Sequence, residues 1–241
     1  MIQACRPGMF EYELEAIWRY SCHKQGLPEV AYPAIVAAGA NACVLHYTAN
    51  QAKIQSGDCL LVDAGAEYQG YAADITRCFP ANGRFSPEQL AIYELVLETQ
   101  QAVIEAIKPG LPWDELQNIA AKTMTQGLIK LGILKGSLSS LLKKKAYQRY
   151  YMHNIGHWLG LDVHDVGTYR EGKNWRALKP GMVFTVEPGC YINANDQSVE
   201  AKWRGIGIRI EDDLLLTSKG PSILTKDLPR DAKAIEQMML G

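Results

Sequence analysis

Apolar positions along this chain follow two periods, and the order in which they alternate repeats. Leu14, Ile17 and Trp18 lie three and four apart, as on one face of a helix, just after Arg6-Pro7-Gly8. Leu116, Ile119 and Ala120 repeat that spacing after Lys108-Pro109-Gly110. Each helical pattern is followed by short buried strings that stop at an acid. Ser56-Gly57 leads through an apolar run to Asp63, and Pro180-Gly181 leads through another to Glu187. Gly70 precedes a strand-like run ending at Asp74, as Gly207 precedes one ending at Glu211. Three echoes in one order predict an α+β domain of two related halves, with sheet surfaces inward and helices outside.

Between the halves, Ser86 and Pro87 read as N-cap and first residue of a helix running to about Ile107, where Lys108-Pro109-Gly110 stops it. Residues 112–132 and 137–146 read as further helices. No low-complexity linker interrupts the 241 residues, so the whole of 1–241 is expected to form one domain.

Composition narrows the classes. Apolar residues make up 47% and charged residues 21%, and the formal net charge is −1, which gives no bulk attraction to nucleic acid or an anionic membrane. Lys143-Lys144-Lys145 reads as a solvated helix face. No apolar run approaches the ~20 residues of a membrane span. The six cysteines form no CxxC pair and several sit among apolar neighbours, the pattern of reduced thiols in a cytoplasmic protein.

The acids carry the chemistry. Asp63 closes the string LLVD, where a charge is costly unless compensated. Ala72, Asp74 and Thr76 share a face by the two-residue period, and a hairpin can bring Asp63 and Asp74 together. Glu187 and Glu211 repeat the arrangement in the second half. Related halves would gather all four acids near their axis. Four carboxylates at one place repel, and divalent cations remove that repulsion. Three of the five histidines, His153, His157 and His164, fall in one Gly-rich apolar stretch that reads as a site wall. An oxygen-rich set with one imidazole suits Mn²⁺, Co²⁺, Zn²⁺ or Fe²⁺. Taken singly, each acid also fits a turn cap, and Glu211-Asp212-Asp213 fits a solvated charge run.

At these residues the chain resembles the pita-bread metallopeptidases, nearest the Xaa-Pro aminopeptidases among them. The resemblance rests on LHYTAN (Leu45 to Asn50), LLVDAGAEYQGYAADITRCFP (Leu60 to Pro80) and HNIGHWLGLDVHDVG (His153 to Gly167). LKPGMVFTVEPGCYI (Leu178 to Ile192) and RGIGIRIEDDLLLT (Arg204 to Thr217) complete it. It implies a dinuclear centre held by Asp63, Asp74, His157, Glu187 and Glu211, with Asp74 and Glu211 bridging. Two divalent ions are implied, Mn²⁺ foremost. His46, His153 and His164 match the family's active-site histidines, Arg209 an arginine beside the bridging acids, and Tyr191 a supporting residue.

The implied reaction is removal of an N-terminal residue that precedes proline, by a hydroxide held between the metals. Glu187 is expected to move the proton, and His164 or His46 to stabilise the oxyanion. Peptides with proline second are the implied partners, and association into a homo-oligomer follows by analogy. Family members usually carry an N-terminal domain. This chain opens at Met1 directly before its first helix, so that domain is expected to be absent. Prolidase and methionine aminopeptidase use the same ligand types. Non-catalytic relatives typically lose ligands, and here all five are present.

Overall fold

The computed structural model describes residues 1–240. The first half runs α1 (Glu11–Lys24), β1 (Ile35–Ala38), β2 (Cys59–Asp63), β3 (Glu67–Tyr68), β4 (Tyr71–Ala72), β5 (Thr76–Pro80) and α2 (Pro87–Ala106). The second runs α3 (Trp113–Lys130), α4 (Leu138–Lys143), β6 (Arg170–Glu171), β7 (Asn174–Trp175), β8 (Val183–Val186), β9 (Gly189–Ile192), β10 (Ile206–Arg209), β11 (Asp212–Thr217), β12 (Gly220–Ile223) and α5 (Ala232–Leu240). All strand pairings are antiparallel. β2 lies between β1 and β5, and β11 lies between β8 and β12. Between β2 and β5 the chain makes the hairpin β3–β4. Between β8 and β11 it makes the longer hairpin β9–β10.

The echoes in the sequence are structural equivalences. Gly8 N donates to Ile54 O, and Gly110 N to Leu178 O, both at 2.8 Å. Phe10 bridges Lys53 ahead of α1, and Pro112 bridges Ala177 ahead of α3. Gly57 and Gly181, each opening the turn into its strand, have φ of 91° and 92°. This is the pita-bread fold, two pseudo-twofold halves with helices outside and sheets within. β2 and β5 are buried at every residue because both faces are covered, which is why they read as continuous apolar runs.

Helix boundaries follow local chemistry. Ser86 Oγ accepts from Gln89 N and the Gln89 side chain accepts from Ser86 N, a reciprocal cap that starts α2 at Pro87. The helix expected over 137–146 ends earlier, at Lys143. Lys145 adopts φ 51°, a left-handed conformation that stops α4 and starts a 3₁₀ turn at Ala146. Lys143, Lys144 and Lys145 are all exposed. Cys43 is half-buried and the other five cysteines are buried, and no disulfide joins any of them. Among the described residues no helix is long and apolar enough to cross a membrane.

Candidate metal centre

The acids meet where the two halves join. β2 ends on Asp63, which lies opposite Thr76 at the start of β5, and Asp74 sits just before that strand. Glu187 follows β8 and Glu211 precedes β11, the equivalent places in the other half. Glu211 N donates to Thr76 O across the junction at 3.1 Å. Two glycines permit the close approach. A Cβ on Gly65 would lie 1.6 Å from Ala73 O, and one on Gly156 would lie 2.0 Å from Thr185 O. Gly65 thus lets the Asp63 and Asp74 segments close up, and Gly156 lets the His157 segment pack on β8.

Asp63, Asp74, His157, Glu187 and Glu211 line one cavity of about 380 Å³ together with His46, His153, His164 and Arg209. Within it Asp74, His157 and Glu211 offer ligand atoms all within 4.8 Å of one another. His157 Nε2 is 3.3 Å from Asp74 and 3.4 Å from Glu187. Tyr32, which the sequence did not mark, joins the first pair of acids, its hydroxyl lying 2.6 Å from both Asp63 Oδ1 and Asp74 Oδ1. Arg209 donates to Asp63 Oδ2 at 2.6 Å, to Thr76 Oγ1 at 3.1 Å and to Tyr191 Oη at 3.0 Å. Tyr191 Oη also lies 2.8 Å from His153 Nε2, so the arginine, tyrosine and histidine form one chain. Glu211-Asp212-Asp213 is no solvated run: the three are 1%, 0% and 3% exposed.

The protein alone leaves this cluster short of positive charge. Four carboxyls face one guanidinium. Burial raises Glu187 to about 7 and Glu211 well above the ordinary carboxyl range, and the neighbouring acids add to the shift of Glu211. His157 is raised to about 9, because contact with Asp74 and Glu187 outweighs the burial that opposes its charge. His153 goes the other way, to about 4, through burial and then the Arg209 charge. Glu211 Oε1 is buried with no hydrogen-bond partner. An orphaned carboxylate oxygen beside an imidazole and three further acids fits divalent cations, which prefer oxygen donors with one nitrogen.

These shifts set a pH test. The raised His157 contributes stability below pH 6.5 that is lost as pH rises through about 9. The raised Glu187 has the same sign between 4.5 and about 7. The lowered His153 opposes it, losing stability as pH falls from 6.5 toward 4, so above 6.5 the raised groups His157, Glu187 and Glu211 all act in one direction. Chelator-treated protein is expected to lose stability between pH 6.5 and 9, His157 alone contributing about 3 kcal/mol at ~1.4 kcal/mol per pH unit. Metal-loaded protein should not, because its ligands bind deprotonated. Urea midpoints across that range give the answer, and a flat chelated curve counts against the cluster as described.

The chain belongs to metallopeptidase family M24, whose model matches residues 1–218. Within that family it is similar to Xaa-Pro aminopeptidases. It is 46% identical over 240 residues to the Xaa-Pro aminopeptidase of Escherichia coli (strain K12), covering 100% of this chain and 54% of the relative. It is 48% identical to the Haemophilus influenzae Xaa-Pro aminopeptidase, covering 99% and 55%. Among solved structures, Pseudomonas aeruginosa aminopeptidase PepP superposes with a TM-score of 0.98 at 53% identity, over 99% of this chain and 54% of that one. The chain thus spans about half the length of the relatives it matches.

Proposed function

We propose that this domain removes the N-terminal residue from peptides whose second residue is proline. One observation carries the reading. Five ligand-type residues and three histidines converge on a single cavity, in a chain nearly half identical along its length to Xaa-Pro aminopeptidases. The whole of 1–241 is read as the catalytic domain. Asp63, Asp74, His157, Glu187 and Glu211 are assigned as ligands of two divalent ions, with Mn²⁺ the metal of choice. A relative from E. coli has been obtained zinc-substituted, in complex with product. Cytoplasmic residence and a homo-oligomeric state complete the proposal.

Bound metals would supply Lewis acidity, polarising the carbonyl before proline and bringing water near neutral ionisation. The chain's own groups do the rest. Glu187 takes a proton from the attacking water and passes it to the prolyl nitrogen as the bond breaks. His164 packs edge-on to His157 at 4.3 Å and lines the cavity with His46, where either ring would stabilise the developing oxyanion. His153 stays neutral, so its ring can share a proton with Tyr191 while contacting substrate. A prolyl nitrogen carries no hydrogen, so the ring's shape must be what the site selects.

Turnover of an Xaa-Pro-Xaa peptide by Mn²⁺-loaded protein, lost on chelation, is the expected result. Xaa-Pro dipeptides test the rival, because human Xaa-Pro dipeptidase is 37% identical over 274 residues. Preference for the dipeptide, or for a Met-Ala-Xaa peptide, overturns the assignment.

A further inference from the structure

Glu11 is the first residue of α1 and is completely buried, yet it lies outside the cavity and among no ligands. Its carboxylate is fully used. Oε1 accepts from Ala38 N at 2.8 Å and from Asn41 Nδ2 at 3.0 Å. Oε2 accepts from Tyr47 Oη and from Ala52 N, both at 2.8 Å. All four donors come from one stretch of chain, residues 38–52, which leaves β1 and carries His46 to the cavity. The carboxylate therefore grips that loop at its start, at its end and at the residue next to His46. Its place in the first turn of α1 adds the favourable field of the helix N-terminus. Asn50, with φ 48°, tightens the exit of the loop: its Oδ1 accepts from Val36 N at 2.9 Å, and its Nδ2 donates to Ala34 O and Glu15 Oε2 at 2.8 Å.

We propose that Glu11 is a positioning residue for His46, holding the loop after β1 through Tyr47 and the Ala38 and Ala52 amides. The pseudo-twofold supplies a second line of support. The counterpart of Glu11 is Trp113, since Glu11 N donates to Ala52 O and Trp113 N donates to Arg176 O at the equivalent place. Trp113 packs against Trp158 at 4.5 Å and Tyr169 at 5.0 Å, and these two flank His164 in the chain. In each half the first residue of the leading helix braces the histidine-bearing segment, by hydrogen bonds in one and by aromatic packing in the other. Loops without such bracing sample many conformations, and a histidine aimed at a reacting atom loses its effect when displaced by about 1 Å.

Tyr47→Phe removes one of the four donors and spares the fold; Glu11→Gln sets an amide NH₂ against donors that need an acceptor. Both are compared with the parent by hydrogen exchange and by metal content. Exchange is expected to quicken roughly tenfold within residues 39–50, with metal content unchanged. Unchanged exchange, or quickening spread over the whole domain, overturns the proposal. The kinetic arm rests on the aminopeptidase reading. There, Tyr47→Phe should lower kcat/KM about tenfold in the parent and have little effect on top of His46→Ala. Additive losses overturn the proposal, because a merely structural residue would act equally in both backgrounds. A parent protein with no turnover sinks the aminopeptidase reading alone, and the exchange result then decides the role of Glu11.

Discussion

Glu211→Gln is expected to abolish metal-dependent peptide hydrolysis, by at least about 10³-fold in kcat/KM, while leaving the chelated protein as stable as the parent or more stable. The two halves of that expectation have one cause. Glu211 is 1% exposed, and only its Oε2 is satisfied, by Thr76 Oγ1 at 2.6 Å. A glutamine carbonyl can keep that bond. The other oxygen has no protein partner, so the incoming NH₂ displaces no hydrogen bond. Burial, then Asp74, Glu187 and Asp63, all oppose a negative charge at this position. Removing the charge therefore relieves the protein and deprives the metals, the usual conflict between stability and activity at a working site. Paired measurements settle it: peptide turnover with metal content determined, and urea midpoints under chelation. Parent-level turnover in the folded variant would dismiss Glu211 as a ligand. A large loss of chelated stability would mean that its charge was already balanced by the protein.

The sequence made the cluster legible through repetition. Asp63 and Asp74 each fit a turn, and Glu187 and Glu211 fit a turn and a charge run. Only their equivalent places in two matching halves, before and after the same kind of strand, pointed to one site. The same repetition forecast the fold, because Pro-Gly entry turns and apolar strings are local features that a window of residues contains. What escaped notice is long-range. Tyr32 stands in AYPAI, a string with nothing to announce chemistry, and reaches Asp63 and Asp74 across 31 and 42 positions. Glu11 has nothing in its local sequence to set it apart, and only the return of residues 38–52 gives it four donors. Asp212 reads in the sequence as part of a solvated charge run, and nothing local sets Arg77 apart. The break in the 137–146 helix depends on Lys145 taking a left-handed conformation that lysine does not announce.

Asp212→Ala is expected to cost about 3–5 kcal/mol of stability. For a domain of this size that lowers Tm by roughly 6–20 °C. Asp212 follows Glu211 in the chain and points the other way, into a buried junction behind the site. Its carboxylate, 0% exposed, pairs with Arg77 at 2.7 Å and Arg230 at 3.5 Å, and accepts from Gln100 at 3.0 Å and Thr225 at 2.6 Å. Arg77 belongs to β5 of the first half and donates as well to Thr76 O, which also accepts from Glu211 N, and to Glu211 O. The pair therefore ties the halves together one residue behind the ligands. Its worth is not the gross attraction of two ions, much of which is offset by their desolvation; deleting one partner strands the other in the interior. Hence Arg77→Met should also be severe, and the double variant Arg77→Met/Asp212→Ala should fall well short of the sum of the single losses. Metal should recover part of the loss in every case, since it binds the folded form. Strict additivity across that cycle would show that Arg77 and Asp212 act independently, and β5 and β11, which follow Asp74 and Glu211, would then owe their register to the sheets alone.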